Sequence, residues 1–170
     1  MKAIISTAFC LVLALTWSGT GFSQGASAAP ERTQLEIRQI QTRTFDTQDQ
    51  VLVMKAVLNV LQDDGFIVNN ANSELGLISA SKEIPTEKIE KSEMRRRFGV
   101  HIHAHFVLIE ASATVSPFDR QTRVRTNFQV KFFDDDRKKL LTVSQLLEGN
   151  FYQEFFFKVD KGIFIQKEKI

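Results

Sequence analysis

The sequence predicts an α+β protein in which an antiparallel sheet of about four to five strands packs against two helices, in the order β-α-β-β-β-β-α. Two observations lead to this prediction. Apolar residues after Thr47 recur at three- and four-residue spacing, which is typical of an amphipathic helix. Other segments alternate apolar and polar residues, which is the period of a half-buried strand. Short polar turns between those strands favour antiparallel pairing.

The chain begins with the layout of a secretory signal peptide. Lys2 precedes an apolar run that extends from Ala3 to Trp17, and small residues surround Ala28. This order of charged, apolar and small residues predicts cleavage after Ala28 and export to the periplasm. The apolar run is shorter than the about 20 residues that span a bilayer, so we expect no transmembrane anchor. Residues 29–170 are then expected to form a single α+β domain.

The composition narrows the classes of function. The one cysteine, Cys10, lies inside the apolar run after the bulky Phe9, which disfavours a lipid attachment site. Its removal with the signal peptide would leave no disulfide and no cysteine metal ligand. With 22 basic and 20 acidic residues, the chain lacks the basic excess of a general nucleic-acid binder.

The first element of the domain, Leu35 to Phe45, is predicted to be a strand. Its second half is polar on both faces, which is typical of an exposed sheet edge. Arg38 and Arg43 could bind an anion there. They could equally be solvated edge charges that block unwanted strand pairing.

The best-marked helix starts after Thr47 and ends before Gly65. Thr47 is the expected cap, with Gln50 reaching back to it, and Gly65 permits the positive φ of a helix exit. The residues expected on its buried face are Val51, Met54, Val57, Leu58 and Leu61. A polar turn, Asn69 to Glu74, and a strand, Leu75 to Lys82, should follow.

A charged surface excursion is expected at residues 85–99. It contains the basic run Arg95-Arg96-Arg97, with Glu87, Glu90 and Glu93 nearby. The run could bind phosphate or anionic lipid headgroups. Because the neighbouring carboxylates offset its charge, a solvated loop face is the alternative.

The next predicted strand, Val100 to Val115, carries His101, His103 and His105 on one face. Ile102, Ala104, Phe106 and Leu108 would then form the opposite, buried face. Imidazoles two residues apart on a strand point the same way and could bind zinc or copper with a ligand from a neighbouring strand. The histidines could also occupy a solvated face that titrates near neutral pH.

The last strand and the tail have clear patterns. Val124, Thr126, Phe128, Val130 and Phe132 alternate with polar residues and should face the core. In the tail, a helix could start at Thr142 or Ser144, with an interruption at Gly149 and Asn150. The residues expected on the apolar stripe of the tail helix are Tyr152, Phe155, Phe156, Val159, Ile163 and Phe164. Surplus aromatic residues suggest that Tyr152, Phe155 and Phe156 contact a partner protein.

The block from Ala56 to Glu83, AVLNVLQDDGFIVNNANSELGLISASKE, resembles small exported domains of bacterial envelope lipoproteins. A BamC-like domain of the outer-membrane barrel assembly machinery is the named comparison. The resemblance extends over Thr47 to Lys82, the order of elements and the aromatic tail. It implies an accessory or scaffolding role without catalysis, and it transfers no active-site residue.

These patterns predict a non-catalytic periplasmic accessory protein that binds another cell-envelope component, as a monomer or within a complex. The alternative is a periplasmic metal- or small-ligand-binding protein that uses His101, His103 and His105. An enzyme is not expected, because the chain contains no nucleophile elbow, P-loop or HExxH motif.

Overall fold

The computed structural model, described for residues 32–85, 104, 106–134 and 139–168, confirms the predicted α+β class. Two longer helices cover one face of a six-stranded antiparallel sheet. The elements in chain order are α1 (Gln34–Ile40), β1 (Thr42–Phe45), α2 (Gln50–Asp63), β2 (Ile67–Asn72), β3 (Leu77–Pro85), β4 (Phe106–Phe118), β5 (Gln121–Phe133), β6 (Leu140–Gln145) and α3 (Gly149–Glu168). The predicted signal peptide and residues 86–99 of the charged excursion lie outside the described residues.

The strands lie in the order β1-β5-β4-β3-β2, and β6 also pairs with β5. β1 pairs with β5 at Thr122–Arg125, whereas β6 pairs with it at Gln129–Phe133. The two short strands therefore share one edge of β5, one behind the other. This division of the edge leaves a gap at residues 126–128 of β5.

The prediction of a strand from Leu35 to Phe45 is wrong in its first part, which is the helix α1. The Thr33 hydroxyl accepts a hydrogen bond from the Glu36 N–H, and the Glu36 carboxylate accepts one of 2.7 Å from the Thr33 N–H. This reciprocal capping box satisfies two N–H groups that a helix start otherwise leaves free. Only Thr42–Phe45 forms the predicted edge strand.

Helix α2 and its glycine exit form as predicted, but the cap and part of the buried face differ. Asp49, not Thr47, caps the helix by accepting a hydrogen bond of 2.8 Å from the Leu52 N–H. Val51 is exposed, because the helix turns a different stripe to the sheet. The buried residues of α2 are Val53, Met54, Ala56, Val57, Val60 and Leu61. Gly65 has a φ of +82°, as a left-handed helix exit requires.

The hairpin after α2 is longer than predicted. β2 continues to Asn72, so residues 69–72 of the expected turn are strand, and the turn is confined to residues 73–76. Asn72 shapes this turn, because its side chain accepts a hydrogen bond of 2.9 Å from the Leu75 N–H. Such a bond lets a polar residue end a strand.

β5 has the predicted faces, whereas β4 has the opposite ones over its described length. The residues Val124, Thr126, Phe128, Val130 and Phe132 are all fully buried. In β4, Val107 and Ile109 face the core, while Phe106 and Leu108 lie on the other face and are half-buried. Both faces of β4 are apolar at this point, so alternation could not select between them.

The chain after β5 also differs from the prediction. Thr142 and Ser144 lie in β6 and do not start a helix, because this segment completes the edge of β5. Gly149 begins α3 instead of interrupting it. The predicted stripe of α3 is buried at Tyr152, Phe155, Phe156, Val159 and Ile163, but Phe164 is exposed.

Candidate functional site

The sheet has one face packed against helices and one face whose side chains reach the surface. On β4 and β5, the side chains opposite the core include exposed Ser112, Thr114 and Arg125 and half-buried Asn127 and Gln129. We call this surface the open face; it comprises the even-numbered residues 108–116, the odd-numbered residues 121–133 and their neighbours on the same side of the sheet. A polar face of this kind can bind another molecule without unfolding the core.

The middle of the open face is a shallow polar depression of about 410 Å³. Its polar lining residues are Asn69, Ser79, Glu110, Ser112, Asn127 and Gln129. Strand register places Ser112 between Ser79 and Asn127. Glu110 is neutralised by Lys131, whose Nζ lies 2.7 Å from its Oε2. The depression therefore offers hydroxyl and amide groups that both donate and accept hydrogen bonds.

A second depression of about 430 Å³ lies at one end of the open face. It is lined by Arg38, Thr42, Thr114, Ser116, Arg123 and Arg125, and we call it the arginine pocket. In the register, Arg125 lies opposite both Thr114 and Thr42, and Arg123 lies opposite Ser116. Helix α1 supplies Arg38. Four elements of the fold, α1, β1, β4 and β5, thus bring guanidinium and hydroxyl groups together.

The guanidinium groups of the arginine pocket have no carboxylate partner in the part of the chain that the structure describes. No Asp or Glu there forms an ion pair with Arg38, Arg123 or Arg125. Arg123 instead stacks on Phe118, with its Cζ 4.6 Å from the ring centroid, a cation–π geometry that orients the guanidinium. The pocket is therefore a concentration of positive charge whose guanidinium groups can donate hydrogen bonds to an anion.

The gap in the edge of β5 is closed by a polar junction next to the open face. The Tyr152 hydroxyl donates a hydrogen bond of 2.9 Å to the Leu146 carbonyl and accepts one of 3.3 Å from the Phe128 N–H. The buried Gln41 amide donates to the Asn127 side chain at 3.3 Å, and the Gln145 amide donates to it at 2.8 Å. The hydroxyl of Tyr152 thus replaces a missing strand partner in the core.

Tyr152→Phe is expected to lower the free energy of unfolding by about 1–3 kcal/mol, because it leaves a buried N–H and a buried carbonyl with fewer partners. Urea unfolding near neutral pH measures the loss. A loss below about 0.5 kcal/mol would show that the hydroxyl does not support the edge of β5.

The same substitution is expected to change the alkaline stability. Burial raises the pKa of Tyr152 above its ordinary value of 10.0, so the folded state holds this proton more tightly than the unfolded state. Its contribution is complete below about pH 10 and is lost as the pH rises through the raised pKa. The wild type should therefore lose more stability above pH 10 than Tyr152→Phe. Since Tyr152 is the only tyrosine, tyrosinate absorbance reports its ionisation directly.

The residues predicted to contact a partner lie in the core. Tyr152, Phe155 and Phe156 are 1%, 3% and 2% exposed, and the ring centroid of Phe155 lies 5.3 Å from that of Phe128. Their side chains hold α3 on the sheet and are not available to a partner in this fold. The large apolar side chains that α3 leaves exposed are Phe157, Phe164 and Ile165.

The predicted metal and loop-anion residues fall outside the described residues. These are His101, His103 and His105, and Arg95-Arg96-Arg97. Within the described ranges, no group of three or more His, Cys, Asp or Glu side chains could hold a metal ion. A zinc or copper site on the histidines stays a prediction that elemental analysis after metal exposure can test.

Of the three arginines of the arginine pocket, the sequence pointed to an anion site only at Arg38. It paired Arg38 with Arg43, but Arg43 lies in a separate groove with Glu154 and Asp160. Its Cζ is 5.8 Å from the ring centroid of Phe156. Arg123 and Arg125 belong to the polar face of β5, and alternation alone does not distinguish a ligand-binding face from a solvated one. The register of β1 and β5 places Arg125 beside Thr42, and Arg38 lines the same depression.

Comparisons with known proteins include a distant likeness to a solved structure. No model of a protein family and no curated protein matches the chain, so the resemblance to a BamC-like domain finds no support there. Among solved structures, a DUF4468 family protein from Bacteroides ovatus matches with a TM-score of 0.39 and 9% sequence identity. The match covers 72% of this chain and 84% of that one. In the described residues, no helix is long and apolar enough to cross a membrane.

Proposed function

We propose that this protein is a non-catalytic accessory protein of the periplasm that binds another cell-envelope component through the open face. The observation that supports this choice of surface is the contrast between the two layers. Tyr152, Phe155 and Phe156 of α3 are buried in the core, whereas the open face presents a polar depression next to three arginines that form no ion pair with a carboxylate among the described residues. Such a surface can recognise a partner by charge and hydrogen bonds.

Export and the absence of catalysis belong to the same proposal. The layout from Lys2 to Ala28 supports a cleavable signal peptide. The absence of common catalytic motifs from the sequence supports a binding role. The hydroxyl, amide and guanidinium groups of the open face can bind and orient another molecule through hydrogen bonds.

Ser112→Glu tests the proposal at the middle of the open face. The side chain is exposed, so the fold should tolerate the change, while the added charge and bulk obstruct the polar depression. We expect the variant to lose the envelope component that copurifies with the wild type, as quantified by mass spectrometry.

Lys161→Glu is the matched control, because Lys161 is equally exposed but lies on α3. It should retain the component, and both variants should unfold at the same urea concentration as the wild type. Retention by Ser112→Glu together with loss by Lys161→Glu would move the binding surface from the sheet to the helices.

A further inference from the structure

We infer that the arginine pocket binds a phosphate group carried by the component that the open face recognises. That the phosphate group belongs to this component rests on the proposed function. That the pocket binds a phosphate group is argued from the residues of the pocket alone. The ligand class is a phosphomonoester or free phosphate, a compact anion that carries roughly −1.5 to −2 charge at pH 7.

The charge of the pocket favours such an anion over a carboxylate. Arg38, Arg123 and Arg125 bring three permanent positive charges to one depression, and no described carboxylate pairs with them. One arginine is sufficient to bind a carboxylate through two parallel hydrogen bonds. Three arginines exceed that requirement and suit an anion with a higher charge and more oxygens.

The hydrogen-bond donors of the pocket also suit a phosphate group. Arg123 and Arg125 are two residues apart on one face of β5, which places their Cα atoms about 6.5–7 Å apart. Arg38 approaches from α1, a different direction. Thr42, Thr114 and Ser116 line the same pocket and add hydroxyl groups to it. A group with three terminal oxygens can therefore accept from several sides at once.

The pocket is built on rigid elements. Arg123 and Arg125 lie on β5, which is paired with β4 along its whole length, and the Arg123 guanidinium contacts the Phe118 ring. An arginine in such a ring contact, here Arg123, loses less conformational entropy on binding than a free surface side chain does. The pocket therefore differs from a scattered basic surface.

The test is to titrate the purified protein with phenyl phosphate and, separately, with inorganic phosphate. Binding is measured by NMR chemical shifts and by calorimetry. We expect saturable binding that is stronger than binding of acetate at the same pH and ionic strength. Arg125→Gln should weaken it by about tenfold or more, a change of about 1.4 kcal/mol. The affinity of Arg125→Lys for phosphate should fall between those of the wild type and Arg125→Gln, because lysine keeps the charge but not the two-pronged donor geometry.

Arg43→Gln is the matched control, because Arg43 is an exposed arginine of β1 that lies in a different groove. It should bind phenyl phosphate like the wild type. Equal weakening by Arg43→Gln and Arg125→Gln would show general charge attraction and overturn the inference. Binding of acetate as tight as that of phosphate, or no saturable shift at all, would overturn it as well.

Vesicles distinguish the two sources of the phosphate group. Phosphatidic acid in phosphatidylcholine vesicles presents a phosphomonoester at a lipid surface, whereas phenyl phosphate presents it in solution. Retention on phosphatidic acid vesicles that Arg125→Gln abolishes indicates a lipid headgroup. Binding of phenyl phosphate without vesicle retention indicates a soluble or protein-borne phosphate.

The two proposals can fail separately. One result is that the double variant Arg38→Gln/Arg125→Gln keeps the copurifying envelope component and the wild type binds no phosphate. The phosphate inference then fails while the proposed function stands. If the wild type binds phosphate through these arginines but Ser112→Glu loses no component, the proposed function fails and the phosphate site stands.

Discussion

Replacing Phe128 by alanine is expected to lower the free energy of unfolding by about 3–5 kcal/mol, the usual cost of removing a fully buried phenylalanine. Phe128 is 0% exposed and lies at the centre of an aromatic cluster. Its ring centroid is 4.9 Å from that of Phe151, 5.6 Å from that of Tyr152 and 6.0 Å from that of Phe66. The substitution would leave a cavity between the sheet and α3 and remove these ring contacts.

Phe157→Ala is the control for Phe128→Ala. Phe157 lies on α3 and is 70% exposed, so its removal should change the free energy of unfolding by no more than about 0.5 kcal/mol. Urea unfolding of the two variants beside the wild type measures both effects. Equal losses for the two substitutions would contradict the packing of α3 on β5.

Gly76→Ala is expected to lower the free energy of unfolding by more than about 3 kcal/mol, through backbone strain and a clash together. Gly76 has a φ of +63°, and an added Cβ would lie 1.9 Å from the Val115 carbonyl oxygen. That carbonyl cannot move freely, because it accepts a hydrogen bond of 2.9 Å from the Gln50 side chain. The Val115 N–H also donates to the Gly76 carbonyl at 2.7 Å.

Two other glycines separate strain from clash. Gly65 has a φ of +82°, but an added Cβ would meet only the flexible Lys82 side chain, at 3.4 Å; Gly65→Ala should therefore cost about 1–2 kcal/mol. Gly149 has no atom within 4 Å of an added Cβ, so Gly149→Ala should be neutral or slightly stabilising. Thermal and urea unfolding should show the largest loss of stability for Gly76→Ala, a smaller loss for Gly65→Ala and none for Gly149→Ala. A cost for Gly76→Ala no larger than that for Gly65→Ala would contradict the turn geometry.

The elements that the sequence predicted best are those with a strong period and a clear end. β5 alternates over its whole length, and α2 ends at a glycine with positive φ, so local physics determines both. The aromatic stripe of α3 was also predicted, because five of its apolar positions face the sheet. The α+β class follows from these elements.

The remaining differences depend on tertiary structure or on competing local signals. Leu35 to Ile40 has strand-like alternation, but the capping box of Thr33 and Glu36 outweighs it. Thr142 and Ser144 can cap a helix, yet they lie in β6 because this segment pairs with the edge of β5. The arginine pocket depends on strand register, which a single sequence does not specify for strands far apart in the chain.

The most direct test of the open face is photocrosslinking in the cell, with a photoreactive residue at Thr114 and, separately, at Phe157. Both positions are exposed, but Thr114 lines the arginine pocket and Phe157 lies on α3. We expect a specific product from Thr114 that disappears with Arg38→Gln/Arg125→Gln, and no matching product from Phe157. A specific product from Phe157 with none from Thr114 would place recognition on the helical layer and contradict this account.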